Sequence, residues 1–184
     1  MAIYPASLDN VLDLTRVNAV RSQRWILSAM QQHGAPLVSM LWRILGNEQD
    51  VCDVYQETFL RLAHLENQKK PANVRAYLFK TASNTAVTML RREQLKKQYQ
   101  HQLREKYKPR RDDPAGYLDA KDLQQRLRDA IAGLPDYLSD VVVLRDLAEM
   151  PYQQVAKILG ITTAAARVYR HKALKLLALR MSEK

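Results

Sequence analysis

The chain has 184 residues, 47% of them apolar and 26% charged, which suits one domain or two small ones with a packed core. Its formal charge of +10 favours a polyanionic partner, though the sign alone also fits an acidic protein or a membrane surface. A single cysteine, Cys52, excludes an internal disulfide framework. The start, Met-Ala-Ile-Tyr-Pro-Ala, lacks the regions of a signal peptide, and no apolar run reaches membrane-spanning length; the expectation is a cytoplasmic protein without membrane insertion.

Few glycines, few aromatics and long 3.6-periodic patches predict an all-α fold. Ser7 caps a short predicted helix over residues 7–16, with Leu8, Val11 and Leu12 on its apolar side. The pattern breaks around Gly34-Ala-Pro36; Leu37, Leu41, Ile44 and Leu45 then recur at helical spacing until Gly46-Asn47. A second helix, Glu48 to Leu65, sets Val51, Val54, Phe59 and Leu62 among acidic residues. Residues 66–73, with Lys69-Lys70-Pro71, read as a basic loop. From about Val74 to Arg92, Leu78, Ala82, Thr85, Ala86 and Met89 form a core stripe and leave Lys80, Ser83, Asn84, Val87 and Arg91 for a ligand.

Residues 93–118 lose apolar content and close on Lys108-Pro-Arg-Arg-Asp-Asp-Pro114, a linker composition. Helices follow at about 119–133 and 137–149, split by Gly133-Leu-Pro135. The division expected is an N-terminal extension (1–21), a first helical domain (22–95), a flexible basic linker (96–117) and a second helical domain (118–184). Charge is segregated along it: residues 91–111 carry a net +7, residues 112–162 a net −4 and residues 163–184 a net +5. Two separate basic blocks suggest two grips on one polymer.

Residues 150–172 have the marks of a helix-turn-helix. Val155, Ala156 and Leu159 give a short helix its apolar face, and Gly160 permits a left-handed exit. Ile161 plugs the corner, and Thr162 or Thr163 can cap the next helix. That helix carries Arg167, Arg170, His171 and Lys172, as an element lying in a major groove would.

Three segments read together resemble one family. Asp50-Val-Cys-Asp-Val-Tyr-Gln-Glu-Thr-Phe-Leu-Arg61 resembles region 2 of sigma-70 factors of the extracytoplasmic-function group. Val74-Arg-Ala-Tyr-Leu-Phe-Lys-Thr-Ala-Ser-Asn-Thr-Ala-Val-Thr-Met-Leu-Arg-Arg92 is similar to the helix that follows it in these factors. Leu134-Pro135, Val142-Val-Leu-Arg145 and the helix-turn-helix resemble region 4. The resemblance implies an alternative sigma factor that binds RNA polymerase core, at the β′ clamp and the β flap, and directs initiation at promoter DNA.

From the residues alone, Asp50, Asp53, Gln56 and Glu57 read as a solvated acidic face; paired carboxylates of a glycosidase are possible by residue type, but nothing else suggests a sugar cleft. The resemblance implies that they dock on the β′ clamp. Cys52 stands where the family has Glu, so core binding is expected to be weaker or to depend on a modification or partner. Thr58 is a candidate phosphorylation site that would restore negative charge, and an anti-sigma factor or a regulatory kinase is the corresponding partner.

The resemblance also implies that residues 66–92 read the non-template strand of the minus-ten element. Asn84 would recognise a base, while Lys69, Lys70, Arg75, Lys80, Arg91 and Arg92 would hold phosphates. Thr163, Arg167, Val168, Tyr169, His171 and Lys172 match minus-thirty-five contact positions. Val168 and Tyr169 replace a hydroxyl and a guanidinium of the family, so the DNA sequence read should differ. Arg170 takes the place of a buried Leu and is expected to snorkel toward solvent.

The histidines are scattered, no zinc spacing exists, and there is no phosphate loop or nucleophile elbow. No metal, no cofactor and no catalytic group is expected. Two other classes fit parts of the pattern: a stand-alone helix-turn-helix repressor or activator, and an adaptor for an acidic protein. A repressor would usually be a dimer on a palindrome, and no dimerisation segment is evident.

Overall fold

The computed structural model describes residues 24–65, 70–105 and 120–182, and all regular structure among them is helical. The predicted leading helix at 7–16 lies outside the described residues.

Helix α1 (Arg24–Leu45) buries Leu37, Met40, Leu41, Ile44 and Leu45 along one side. It runs straight through Gly34-Ala-Pro36, where the sequence predicts a break. The reason is tertiary. Tyr55 brings its hydroxyl to 2.9 Å of where a Cβ on Gly34 would sit, so glycine makes room for the ring, while Pro36 stays exposed. That hydroxyl is buried without a hydrogen-bond partner, and burial pushes it up to about 12. Tyr55→Phe, which removes the unpaired hydroxyl and keeps the ring, should therefore leave stability unchanged or raise it by about 1 kcal/mol. A urea titration of the two proteins checks this, and a loss of stability would contradict it.

Helix α2 (Glu48–Ala63) starts at Asn47, whose side-chain oxygen accepts from the Asp50 N–H at 2.8 Å. It buries Val51, Val54, Tyr55, Thr58, Phe59 and Leu62 against α1 and the next helix. Fully burying each large apolar side chain contributes about 1.5–3 kcal/mol.

Helix α3 spans Val74–Glu105, thirteen residues beyond the predicted end at Arg92. The extension is polar but rich in strong helix formers, and Glu93 pairs with Lys97 one turn on. The first ten residues assigned to the flexible linker are thus helical. Ser83 and Val87, expected to face a ligand, are buried, whereas Thr85 and Met89 of the predicted stripe are only half-buried. Here α3 is packed from two sides, by α1 and α2 and by the second half of the chain.

That second half comprises α4 (Ala120–Ala132), α5 (Asp136–Val142), a π-helical turn (Val143–Leu147), α6 (Tyr152–Leu159) and α7 (Thr163–Ser182). In the π-helical turn the Ala148 N–H reaches back to the Val143 carbonyl. Leu138, Val141, Val142, Val143, Leu144, Met150 and Val155 build the core, closed by Ala166, Ala173 and Leu177 of α7. The two halves touch through α3 against α4 and α5, and α1 against the π-helical turn.

Candidate nucleic-acid interface

The helix-turn-helix forms as its local sequence dictates. Gly160 takes φ +67°, and the Ile161 N–H turns back to the Ala156 carbonyl at 3.0 Å, closing α6 in the manner of a Schellman motif. Of the two candidate caps, Thr162 acts: its hydroxyl accepts from the Ala165 N–H at 3.1 Å. Ala166, Ala173 and Leu177 pin the inner face of α7, so Arg167, Val168, His171 and Lys172 share the outer face, all exposed. Thr163 is half-buried at the start of the helix.

Two side chains of this helix depart from the sequence reading. Tyr169 is half-buried, its ring edge-on to Tyr137 of α5 at 5.1 Å, and so does not join the exposed row. One residue is a 100° step around a helix, which carries position 169 from the outer face toward α5. Arg170 does not snorkel free: its guanidinium lies 2.8 Å from the Asp146 carboxylate, which with nearby Tyr152 holds the arginine above its ordinary range. The π-helical turn supplies that carboxylate.

Tyr152, at the start of α6, ties α7 to this turn. The guanidinium carbons of Arg145 and Arg167 lie 4.9 and 5.4 Å from its ring centroid, both within cation–π range. Arg145 also donates to the Met150 carbonyl. Sequence reasoning missed Tyr152 and Asp146, because neither is basic.

On α3 the candidate minus-ten residues divide. Lys80 and Asn84 are exposed; Arg92 is exposed and, with Arg61, Asn84, Thr85, Thr88 and Met89, lines a cleft of about 270 Å³. Arg75 stacks over Phe79 at 5.6 Å. Lys70 is exposed, and Lys69 lies outside the described residues. Arg91 is not free. Its Nε and one terminal nitrogen donate to the Ala132 and Leu134 carbonyls, each at 2.9 Å, and the other pairs with Asp136.

On α2, Asp53 and Gln56 are exposed. Asp50 is engaged with the Asn47 cap, and Glu57 accepts from Arg61 at 2.7 Å, so the acidic face is partly committed to its own helix. Burial, then Glu48 and Asp53, push the Cys52 thiol up and keep it protonated. Thr58 contradicts the phosphorylation expectation. It is fully buried, and its hydroxyl donates to the Val54 carbonyl at 2.7 Å, out of reach of a kinase in this fold.

Among the described residues no group of His, Cys, Asp and Glu could hold a metal ion, and no helix is long and apolar enough to cross a membrane.

Comparison with known proteins bears on the whole arrangement. Residues 29–96 match the family Sigma-70 region 2, and residues 124–177 match Sigma-70, region 4. The chain is 26% identical over 149 residues to the ECF RNA polymerase sigma factor SigE of Mycolicibacterium smegmatis, covering 78% of this chain and 56% of that one. It is 20% identical over 159 residues to the RNA polymerase sigma factor SigV of Bacillus subtilis, covering 86% and 92%. Its fold is similar to that of CnrH, solved in complex with the cytosolic domain of CnrY, with a TM-score of 0.54, 21% identity and coverage of 96% and 99%. Taken with the region 2 and region 4 matches in their order along one helical chain, this chain belongs to the sigma-70 family, as an alternative sigma factor of the extracytoplasmic-function group that directs transcription initiation.

Proposed function

We propose that this sigma factor grips its promoter at two points while seated on RNA polymerase core. Residues of the first half, Lys80, Asn84, Arg91 and Arg92 with Lys69, Lys70 and Arg75, take the single-stranded minus-ten element. Arg167, Val168, His171 and Lys172 enter the minus-thirty-five major groove. Asp53 and Gln56, with Asp50 and Glu57 beside them, face the β′ clamp, and the second half meets the β flap. Phosphodiester formation belongs to the polymerase, so this chain needs no catalytic group or cofactor and works in the cytoplasm.

The observation that carries this reading is the outer face of α7: four side chains exposed in one row on a capped helix that leaves a left-handed corner. Core pull-down followed by run-off transcription tests it. Retention on core and promoter-dependent transcripts are expected; tight duplex binding with no retention on core would favour a stand-alone repressor instead.

Tyr152 steadies Arg167 in this scheme. An exposed cation–π contact contributes about 0.5–1 kcal/mol, so Tyr152→Leu should lose up to roughly fivefold in discrimination at the base pair Arg167 reads. Tyr152→Phe, which keeps a ring, should retain it. Competition binding with single-substitution minus-thirty-five duplexes measures this, and a uniform loss over all sequences would count against a positioning role.

A further inference from the structure

The first two turns of α7 show less to a groove than their sequence offers. Of residues 163–170, only Ala164, Arg167 and Val168 are exposed. Tyr137 takes the Tyr169 ring and the Asp146 carboxylate takes the Arg170 guanidinium, so neither polar group reaches outward. Thr163 is half-buried, and the Thr162 hydroxyl is engaged in the helix cap. One guanidinium and two apolar side chains remain at the end of the helix that meets base edges in this motif.

Val168 is 50% exposed, and the inner face of α7 is already filled by Ala166, Ala173 and Leu177. It adds neither strong helix propensity nor full burial to the fold. Ala164 lies one turn before it on the same side, so their methyl groups form one apolar spot, with Arg167, His171 and Lys172 around it. Branching at Cβ leaves valine one strongly preferred rotamer in a helix. The spot is therefore preformed and loses little freedom on contact.

Such a spot has one suitable partner in the major groove. Guanine, adenine and cytosine show only donors and acceptors along their edges there, whereas thymine carries a methyl group. A valine pressed on a purely polar edge leaves donors and acceptors without water or partner, a penalty larger than the gain of an ordinary hydrogen bond. The hydroxyl that the family has at this position bonds to either kind of edge, so valine narrows the choice. Arg167 differs from its neighbour. Its guanidinium, 5.4 Å from the Tyr152 ring centroid, presents the paired donors that suit guanine.

We infer that Val168, with Ala164 beside it, reads a thymine methyl group in the minus-thirty-five element, next to the base pair that Arg167 reads. This rests on the placement of the outer face of α7 in that groove. The contact favours a T·A pair and also works against G·C, because the same surface strips water from polar edges and gives them no partner.

The test uses the holoenzyme formed from the full chain and RNA polymerase core. Promoters are selected by binding from a library randomised in both elements. The sequence bound best is then made with deoxyuridine in place of each minus-thirty-five thymine in turn, on either strand. Deoxyuridine lacks the methyl group and keeps every hydrogen-bonding atom of thymine. At one position the exchange should weaken binding about fourfold, the scale of one methyl group taken from water. With Val168→Ala that penalty should largely disappear, and with Val168→Ser the selected thymine should give way to a mixture of bases. Indifference of the parent to deoxyuridine at every position overturns the inference, as does a penalty that persists at full size in both variants. Arg167→Ala keeps the two claims apart. Weaker promoter binding by that variant, beside indifference to deoxyuridine, overturns the methyl contact alone. Unchanged binding by Arg167→Ala, with no preferred minus-thirty-five base among the promoters selected by the parent, removes the reading of α7 and the methyl contact with it.

Discussion

Asn84→Ala is expected to lower promoter opening roughly tenfold or more while core affinity stays at the parental value, because a well-made amide-to-base contact contributes about 1–3 kcal/mol. The side chain is exposed and its amide has no hydrogen-bond partner among the described residues. It borders the clefts on both sides of α3, one toward α5 and one toward Arg61 and Arg92. Removing it therefore leaves no buried group unpaired and should cost the fold little, which keeps the functional readout clean. An amide has a donor and an acceptor side by side, the pattern that the edge of an unstacked base offers. Permanganate footprinting of melted promoter, beside a titration of labelled core, separates the two effects. Full melting with the alanine chain would exclude Asn84 as a base-reading residue, and a matching loss of core affinity would place its role in docking instead.

The parts of the fold legible in the sequence are those set by neighbours in the chain. Gly160, Ile161 and Thr162 form the corner of the helix-turn-helix with local devices alone, and those residue types announce it. The helix through Gly34-Ala-Pro36 was not legible, since the glycine there answers to Tyr55, twenty-one residues away. The length of α3 was hidden for a different reason. Its last turns lose apolar periodicity while keeping strong helix formers, so composition suggested a linker where propensity sustains a helix.

The candidate site divides along the same line. The row Arg167, Val168, His171 and Lys172 follows from helical spacing, and its exposure matches that spacing. Tyr169 and Arg170 follow from the same spacing only once α5 and the π-helical turn are in place, because Tyr137 and Asp146 take them. Arg91 was read as free for phosphate, and nothing in its neighbourhood in the sequence points to the carbonyls at 132 and 134. The one hint was the net charge of −4 over residues 112–162, between two strongly basic blocks. Its physical sense is visible in three dimensions: Asp136 and Asp140 lie against basic residues of α3, and Asp146 against Arg170.

Thr58→Glu should unfold the first half of the chain rather than strengthen its acidic face. The threonine is fully buried in α2, its hydroxyl satisfied by the Val54 carbonyl one turn back. A glutamate there brings two more heavy atoms and a charge into a site that accepts neither. Cost at a buried site of this kind runs to about 3–5 kcal/mol, a large share of the roughly 5–15 kcal/mol that holds a domain folded. Thr58→Val gives the comparison: it keeps the shape, loses one hydrogen bond and should cost about 1 kcal/mol. Urea unfolding of the full chain resolves the two. The pH dependence adds a sign. Burial favours the neutral form of the introduced carboxyl and raises its folded-state pKa above the unfolded value, so the deficit is greatest above that raised pKa and shrinks as pH falls through it. A Thr58→Glu chain as stable as its parent, with higher affinity for core, would restore the case for phosphorylation; a deficit that eases in acid would show that the charge has nowhere to go.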